Sequence, residues 1–399
     1  MAKKKAAPKE KAVAKKTTSK KPGLSGEEAQ NLREPAEIQY AEQIEALRQN
    51  DSATPPASWV LSPKAVLEYI VGGKSVSATI DGKKKTVEIT KKFYGDTGII
   101  ERAIVTLASE RALLLVGEPG TGKSWLSEHL AAAICGNSTL TIQGTAGTTE
   151  EQIKYSWNIA RVIAEGSTPE NMVPSPTMTA MKSGALLRFE EVTRCIPDVQ
   201  DALVSILSDK VIAVPELPDS NSVRAKAGFN IIATANTRDQ GVNDLSAALK
   251  RRFNYIYIPI VADQKTEIEI VESRSAELMA RYDLEMKIPK PIVELLATAF
   301  REMRDGKTSD GLKVKQPSTT LSTAEAIGVA LDAALYAQYF GSGNVTAGDV
   351  ARNILGSVVK EDQEDAKILM EYAMLVAKRR SKDKHWKEFH STMAKTVKK

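Results

Sequence analysis

The chain has 399 residues, room for two or three domains, and 42% of them are apolar, so a sizeable core can be buried. No stretch is apolar for long enough to span a bilayer, no signal-peptide core is evident near the N-terminus, and Cys135 and Cys195 sit in no metal or redox spacing; the expectation is a reducing, cytoplasmic setting without a disulfide framework. The net charge of +5 hides a split: residues 1–22 carry about +8 and residues 379–399 about +6, which leaves the body near −9 and argues against a basic nucleic-acid surface.

Residues 1–25 are rich in Lys, Ala and Pro and almost devoid of large apolar side chains, so they cannot offset the entropy of ordering and are expected to form a disordered basic tail. A solubilising leader is the favoured role, contact with nucleic acid or an acidic partner the other. Residues 26–95 read as a small helix and hairpin region without a chemical motif. Helical spacing covers 27–50, Thr54-Pro55-Pro56 breaks the chain, and Ser62-Pro63 opens a short helix over 62–72 as N-cap and first helical proline. Alternation around Asp81-Gly82 predicts a hairpin over 75–91.

A helix over 97–109 leads into an apolar run, 112–116, that reads as a buried parallel strand. Then comes Gly117-Glu118-Pro119-Gly120-Thr121-Gly122-Lys123-Ser124, which fits G-x-x-x-x-G-K-[ST], followed by a helix over 125–135. Strand, glycine loop and helix together make a phosphate cradle: the loop and helix N–H groups point at the anion and the helix dipole favours negative charge. Lys123 would reach the β- and γ-phosphates, and the Ser124 hydroxyl would ligate Mg²⁺.

A second strand is expected at 139–143, then a long polar and helical excursion over 144–183. The segment 184–191, Gly-Ala-Leu-Leu-Arg-Phe-Glu-Glu, is an apolar strand ending in two adjacent carboxylates. A nucleotide hydrolase needs two such acids, Glu190 for the metal shell and Glu191 as general base toward the attacking water. Arg188 inside that strand requires a partner if buried. An amphipathic helix over 197–208, hairpin arms at 211–214 and 223–226 across Asp219-Ser220-Asn221, and a buried strand over 229–235 follow. Asn236, in Asn236-Thr237-Arg238-Asp239, stands at the strand tip, where an amide can hold water or the γ-phosphate; this string is not the Asn-Lys-x-Asp of a guanine reader. A short helix over 245–252 ends in Arg251 and Arg252, before Phe253 and a strand over 255–260. The pair reads as a dipole partner or as an arginine finger for a neighbouring subunit. His129, His385 and His390 form no metal-ligand set.

The order of these residues resembles the AAA+ ATPases over roughly 97–358, with Walker A at 117–124, Walker B at Glu190-Glu191, sensor 1 at Asn236 and an arginine finger in 245–253. The insert before Walker B, the hairpin before sensor 1 and the segment 197–210 resemble the MoxR-type clade, and 286–358 its helical lid. The resemblance implies an α/β fold: a P-loop NTPase three-layer αβα core with a parallel sheet over 96–262, a small helical lid over 263–360, and a C-terminal helix and basic tail over 361–399. It implies ATP and Mg²⁺, with Ser124 and Glu190 serving the metal, Glu191 and Asn236 acting on water and γ-phosphate, and Arg252, or Arg251 in a shifted register, as finger. It also implies a homo-oligomer, a hexameric ring, acting on a protein partner such as a von Willebrand factor A domain protein, with no membrane role.

Two departures stand out. Glu190 replaces the usual Asp, and neither candidate corner, Pro317-Ser318-Thr319-Thr320 or Leu321-Ser322-Thr323-Ala324, carries the lid's usual sensor 2 arginine. A remodelling motor is therefore expected first, a nucleotide-gated scaffold with slow turnover second, and a nucleic-acid motor using the basic ends third. The helical spacing of 364–390, with Trp386 and Phe389, fits either a partner-docking helix or one packed back on the lid.

Overall fold

The computed structural model describes residues 31–217, 222–237, 243–319, 321–360 and 362–396, with only the backbone of Gln363. The expected hairpin turn at 219–221, Arg238, Asp239 and Thr320 lie outside the described residues, as does the basic segment 1–25. Of the helix expected over 27–50, the described residues from 31 on become helical at Ala36, where Pro35 takes the N-cap position with extended backbone, and the helix divides into Ala36–Gln39 and Ala41–Asn50 at Tyr40. The Ser62-Pro63 signal is realised in the helix Pro63–Val71: the Ser62 hydroxyl accepts from the Ala65 N–H.

The hairpin pairs Lys74–Ile80 with Lys83–Ile89 so that Asp81-Gly82 forms a two-residue turn, both with positive φ, as the right-handed strand twist requires. Its inward residues Ala78, Ile80, Val87 and Ile89 join Leu47, Tyr69 and Ile70 in one apolar cluster with Leu126 and Leu130 of the helix after the phosphate loop. The N-terminal region thus shares its core with the central sheet, rather than resting on it as a separate layer.

That sheet has five parallel strands, β1 Ala112–Gly117, β2 Thr141–Gln143, β3 Leu186–Glu190, β4 Asn230–Asn236 and β5 Phe253–Tyr257, in the order β5-β1-β4-β3-β2. Both faces are covered, as a parallel sheet demands. Leu113, Leu115 and Ile232 enter one apolar cluster, and Leu114, Phe189 and Ile231 the other. β5 ends at Tyr257, earlier than its apolar pattern suggests, because residues 258–262 leave the sheet to line a cleft. The excursion between β2 and β3 contains an unforeseen antiparallel pair, Tyr155–Trp157 with Met172–Pro174, around the exposed helix Ile159–Glu165.

Beyond β5 come the helices Gln264–Arg281, Lys290–Asp305, Thr323–Tyr339 and Ala347–Val358, then Gln363–Tyr372 and Lys384–Thr396. One apolar cluster runs through all of them, from Val271 to Met393. Phe389 is fully buried in it, so the final helix packs back on the lid helices. Among the described residues no helix is long and apolar enough to cross a membrane.

Candidate nucleotide site

The loop after β1 turns through Gly120 and Gly122, both with positive φ, and Gly122 delivers the chain into the helix Lys123–Cys135. The Lys123 ammonium is buried against the loop, donating to the carbonyls of Gly117 at 3.1 Å and Glu118 at 2.7 Å. The lid lies directly on this loop: a Cβ on Gly120 would stand 2.3 Å from the Ser322 Cβ. Of the two candidate sensor 2 corners, it is therefore 321–324 that meets the phosphate loop, with Ala324 above Gly120. Gly120→Ala should strain the left-handed backbone and push the lid away, weakening nucleotide binding about tenfold or more, as titration calorimetry would show.

β3 brings Glu190 to the start of the same helix. Its carboxylate is buried and accepts four bonds, from Ser124 Oγ at 2.7 Å, Thr234 Oγ1 at 2.8 Å, Ser127 Oγ at 2.6 Å and Arg188 Nη2 at 2.9 Å. Arg188 thereby finds the partner its place in a strand requires, and it also donates to the Ser138 and Ser124 carbonyls at 2.9 and 3.2 Å. Ser124 and Glu190 offer adjacent hard oxygens, the donor chemistry Mg²⁺ takes. No cluster of three His, Cys, Asp or Glu suited to a metal occurs among the described residues.

Glu191 breaks from the strand with φ +54°, a strained position for a non-glycine residue. Its N–H donates to Thr234 Oγ1 at 2.9 Å, and its carboxylate pairs with Arg194 Nε at 2.7 Å. Gly144 makes the turn possible: a Cβ there would lie 2.4 Å from the Glu191 carbonyl oxygen. Asn236 ends β4 in register with Gly117, the start of the phosphate loop. Glu191 and Asn236 line one cleft with residues 118–124, a cavity of about 880 Å³.

Away from the loop one wall of the cleft is apolar, formed by Phe93, Pro259, Ile260, Ile270 and Ile327, a setting for a flat base. Trp125 and Arg274 also line it, with the guanidinium 3.5 Å from the indole centre. Sequence reading missed both. Trp125 directly follows Ser124, but no local signal announces that Arg274, from the lid, reaches it. Lys92 lines the cleft as well, its ammonium almost fully buried and donating to Gln43 Oε1 and, at 2.8 Å, to the Thr90 carbonyl.

Burial pushes Lys92 down to about 7, with Arg274 reinforcing the shift and Glu277 opposing it. The ring faces of Tyr69 and Tyr40, 4.2 and 4.9 Å away, offset part of the cost of the charge. Above pH 7 and below the ordinary lysine value, the unfolded chain holds a proton that the folded chain lacks, so stability rises with pH by up to about 1.4 kcal/mol per unit. In Lys92→Met this rise should vanish between about pH 7 and 10, measured by urea unfolding.

Arg251 and Arg252 lie outside their own chain's cleft. Arg252 Nη1 donates to the Ala248 carbonyl at 2.5 Å and Nε to Ser208 Oγ, while Nη2 has no bond among the described residues. Arg251 is exposed and makes no side-chain bond among them.

Comparison with known proteins agrees with this geometry. Residues 112–253 match the AAA domain of the dynein-related subfamily, and 265–395 match the YehL-like AAA+ ATPase C-terminal domain. The chain is 41% identical to the uncharacterized protein YehL of Escherichia coli K12 over 363 residues, 90% of this chain and 96% of that one. It is 28% identical over 178 residues to the gas vesicle ATPase GvpN of Haloferax mediterranei, 41% of this chain and 50% of that protein. Among solved structures, a RuvB mutant of Thermotoga maritima is similar over 71% of this chain and 77% of its own, at 16% identity and a TM-score of 0.43. Two adjoining matches and a relative covered almost end to end thus show the AAA+ core, and the chain belongs to the YehL-like AAA+ ATPases.

Proposed function

We propose that this chain binds and hydrolyses ATP and works as a homo-oligomeric ring, hexameric in the simplest case, that remodels a protein partner. The carrying observation is the pair of acids at the end of β3: Glu190 bonded to Ser124 of the phosphate loop, and Glu191 turned by a positive φ into the same cleft. In this reading residues 117–124 hold the phosphates and the apolar wall takes the adenine. Ser124 and Glu190 would hold Mg²⁺, which when bound offsets phosphate charge. Glu191 takes the proton of the attacking water, Asn236 orients that water or the γ-phosphate, and Arg252 serves a neighbour's site. A MoxR-like chaperone role with a von Willebrand factor A domain partner, in the cytoplasm, remains the expected setting.

The second reading, a nucleotide-gated scaffold, draws on the uncharged corner 321–324 above Gly120. A nucleic-acid motor has less support, because its basic charge resides in the ends of the chain. Steady-state ATP hydrolysis, measured with mass-resolved oligomeric state across protein concentrations and with partner present, separates them. Turnover that rises with assembly supports the motor. A protein that binds ATP and assembles without turnover supports the scaffold and overturns the motor.

A further inference from the structure

Two side chains of the N-terminal region and three of the lid meet beside the nucleotide cleft. Gln39 Nε2 and the Tyr40 hydroxyl both donate to Glu277 Oε1 on the lid's first helix, Gln264–Arg281. Arg281 Nη2 returns a bond to Gln39 Oε1 at 2.7 Å, and Arg274 Nη1 donates to Glu277 Oε2. Farther along, Lys91 Nζ lies 2.8 Å from Glu269 Oε1 on the same helix. Burial, reinforced by the Glu277 carboxylate, holds the Tyr40 hydroxyl well above the ordinary tyrosine range, so it stays a donor.

The same N-terminal residues also grip the core. The Trp125 indole N–H donates to the Lys92 carbonyl at 3.0 Å, the Tyr69 hydroxyl meets His129 Nδ1 at 2.9 Å, and the Ser138 N–H donates to Glu37 Oε1 at 3.0 Å. Trp125 and His129 belong to the helix that begins at the phosphate loop. Tyr40 stands edge-on to both rings, 6.4 and 4.9 Å between centroids. Arg274, bonded to Glu277, lies over the Trp125 ring from the lid side.

Residues 36–94 therefore tie the lid's first helix to the helix that begins at the phosphate loop. An opening of the lid must break the bonds of Glu277 or pull Arg274 from the indole. Opening costs Glu277 the bonds from Gln39 and Tyr40, while Arg274 on its own helix stays, and hydrogen bonds to a charged group are among the stronger ones, which favours the closed arrangement. We propose that the N-terminal region is a clamp on the lid, with Gln39, Tyr40 and Glu277 as positioning residues that set how long nucleotide stays bound. This rests on the nucleotide-site reading. Its consequence is that an agent displacing the clamp would speed product release without touching the phosphate loop.

The double variant Gln39→Ala/Tyr40→Phe tests it in the full chain, because phenylalanine keeps the ring packing while both donors from the N-terminal region to Glu277 are lost and the Arg274 bond stays. The readouts are dissociation of a fluorescent ADP analogue by stopped flow and amide exchange over 264–281. The expected result is release about tenfold faster, with faster exchange over that helix. Glu277→Gln, which retains one acceptor oxygen, should fall between variant and wild type, and it serves if the double variant fails to fold. Release unchanged in a folded variant overturns the clamp, even if exchange rises. A wild type that binds no nucleotide overturns the site reading and the clamp with it, whereas binding with indifferent release overturns the clamp alone.

Discussion

Glu191→Gln should stop ATP turnover, by about a hundredfold or more, while ATP still binds. The amide keeps the size of the side chain and can hold a water, but it cannot take the proton that water must lose, and general-base catalysis of this kind contributes about 10²–10⁴. The positive φ of Glu191 is set by the Thr234 bond and by the space at Gly144, neither of which the substitution touches. The Arg194 partner keeps an acceptor, though it loses a charge, at 2.7 Å from a half-exposed group, so the cost in stability is small. Single-turnover quench and filter binding would check both halves. A variant with normal turnover would remove Glu191 from the mechanism; a variant that no longer binds ATP would make it a structural residue of the loop.

Arg252→Ala should lower turnover by about a thousandfold in the assembled protein, the lower end of what an arginine finger supplies. The geometry behind this is its anchorage: Nε and Nη1 are tied to Ser208 and Ala248, which fixes the guanidinium and leaves Nη2 for a group outside the chain. Preorganisation of that kind lessens the entropy lost when a phosphate is met. Arg251, exposed and without a side-chain bond among the described residues, is the comparison, and Arg251→Ala should cost less than tenfold. Mixing inactive Glu191→Gln subunits with inactive Arg252→Ala subunits should restore part of the turnover, because some interfaces then combine an intact Glu191 with a neighbour's intact Arg252. Absence of recovery in mixed assemblies would mean that the two residues do not share a site across subunits. A larger loss in Arg251→Ala than in Arg252→Ala would move the finger by one residue.

Much of this site was legible in the chain because its chemistry is local. Gly117 to Ser124 form one turn between a strand and a helix, and the strand's apolar run, the glycines and the lysine are consecutive. Glu190 and Glu191 announced themselves as charges at the end of an apolar strand, and Asn236 as an amide at the end of another. Period-two apolar patterning and punctuation by proline and glycine likewise located the Asp81-Gly82 turn and the Ser62-Pro63 cap. These features arise from neighbours within a few residues, so no knowledge of the fold is needed to read them.

What the chain order could not disclose depends on pairs far apart in sequence. Arg188 looked anomalous in a strand until Ser124, Ser127, Ser138 and Glu190 were brought around it. Two lid corners were equally plausible from residue types, and only the packing of Ser322 on Gly120 distinguished 321–324. The final helix, readable as a docking element from Trp386 and Phe389, is committed to the lid core by the burial of Phe389 and Met393. The N-terminal region showed no motif, because its role lies in bonds from Gln39 and Tyr40 to a glutamate more than two hundred residues away. The sequence by itself determined the nature of the reactive groups, since backbone freedom and side-chain chemistry are properties of single residues and their near neighbours. Only the tertiary structure decided which groups face one another across the cleft, because that is settled by how the sheet, the lid and the N-terminal helices bury their apolar faces together.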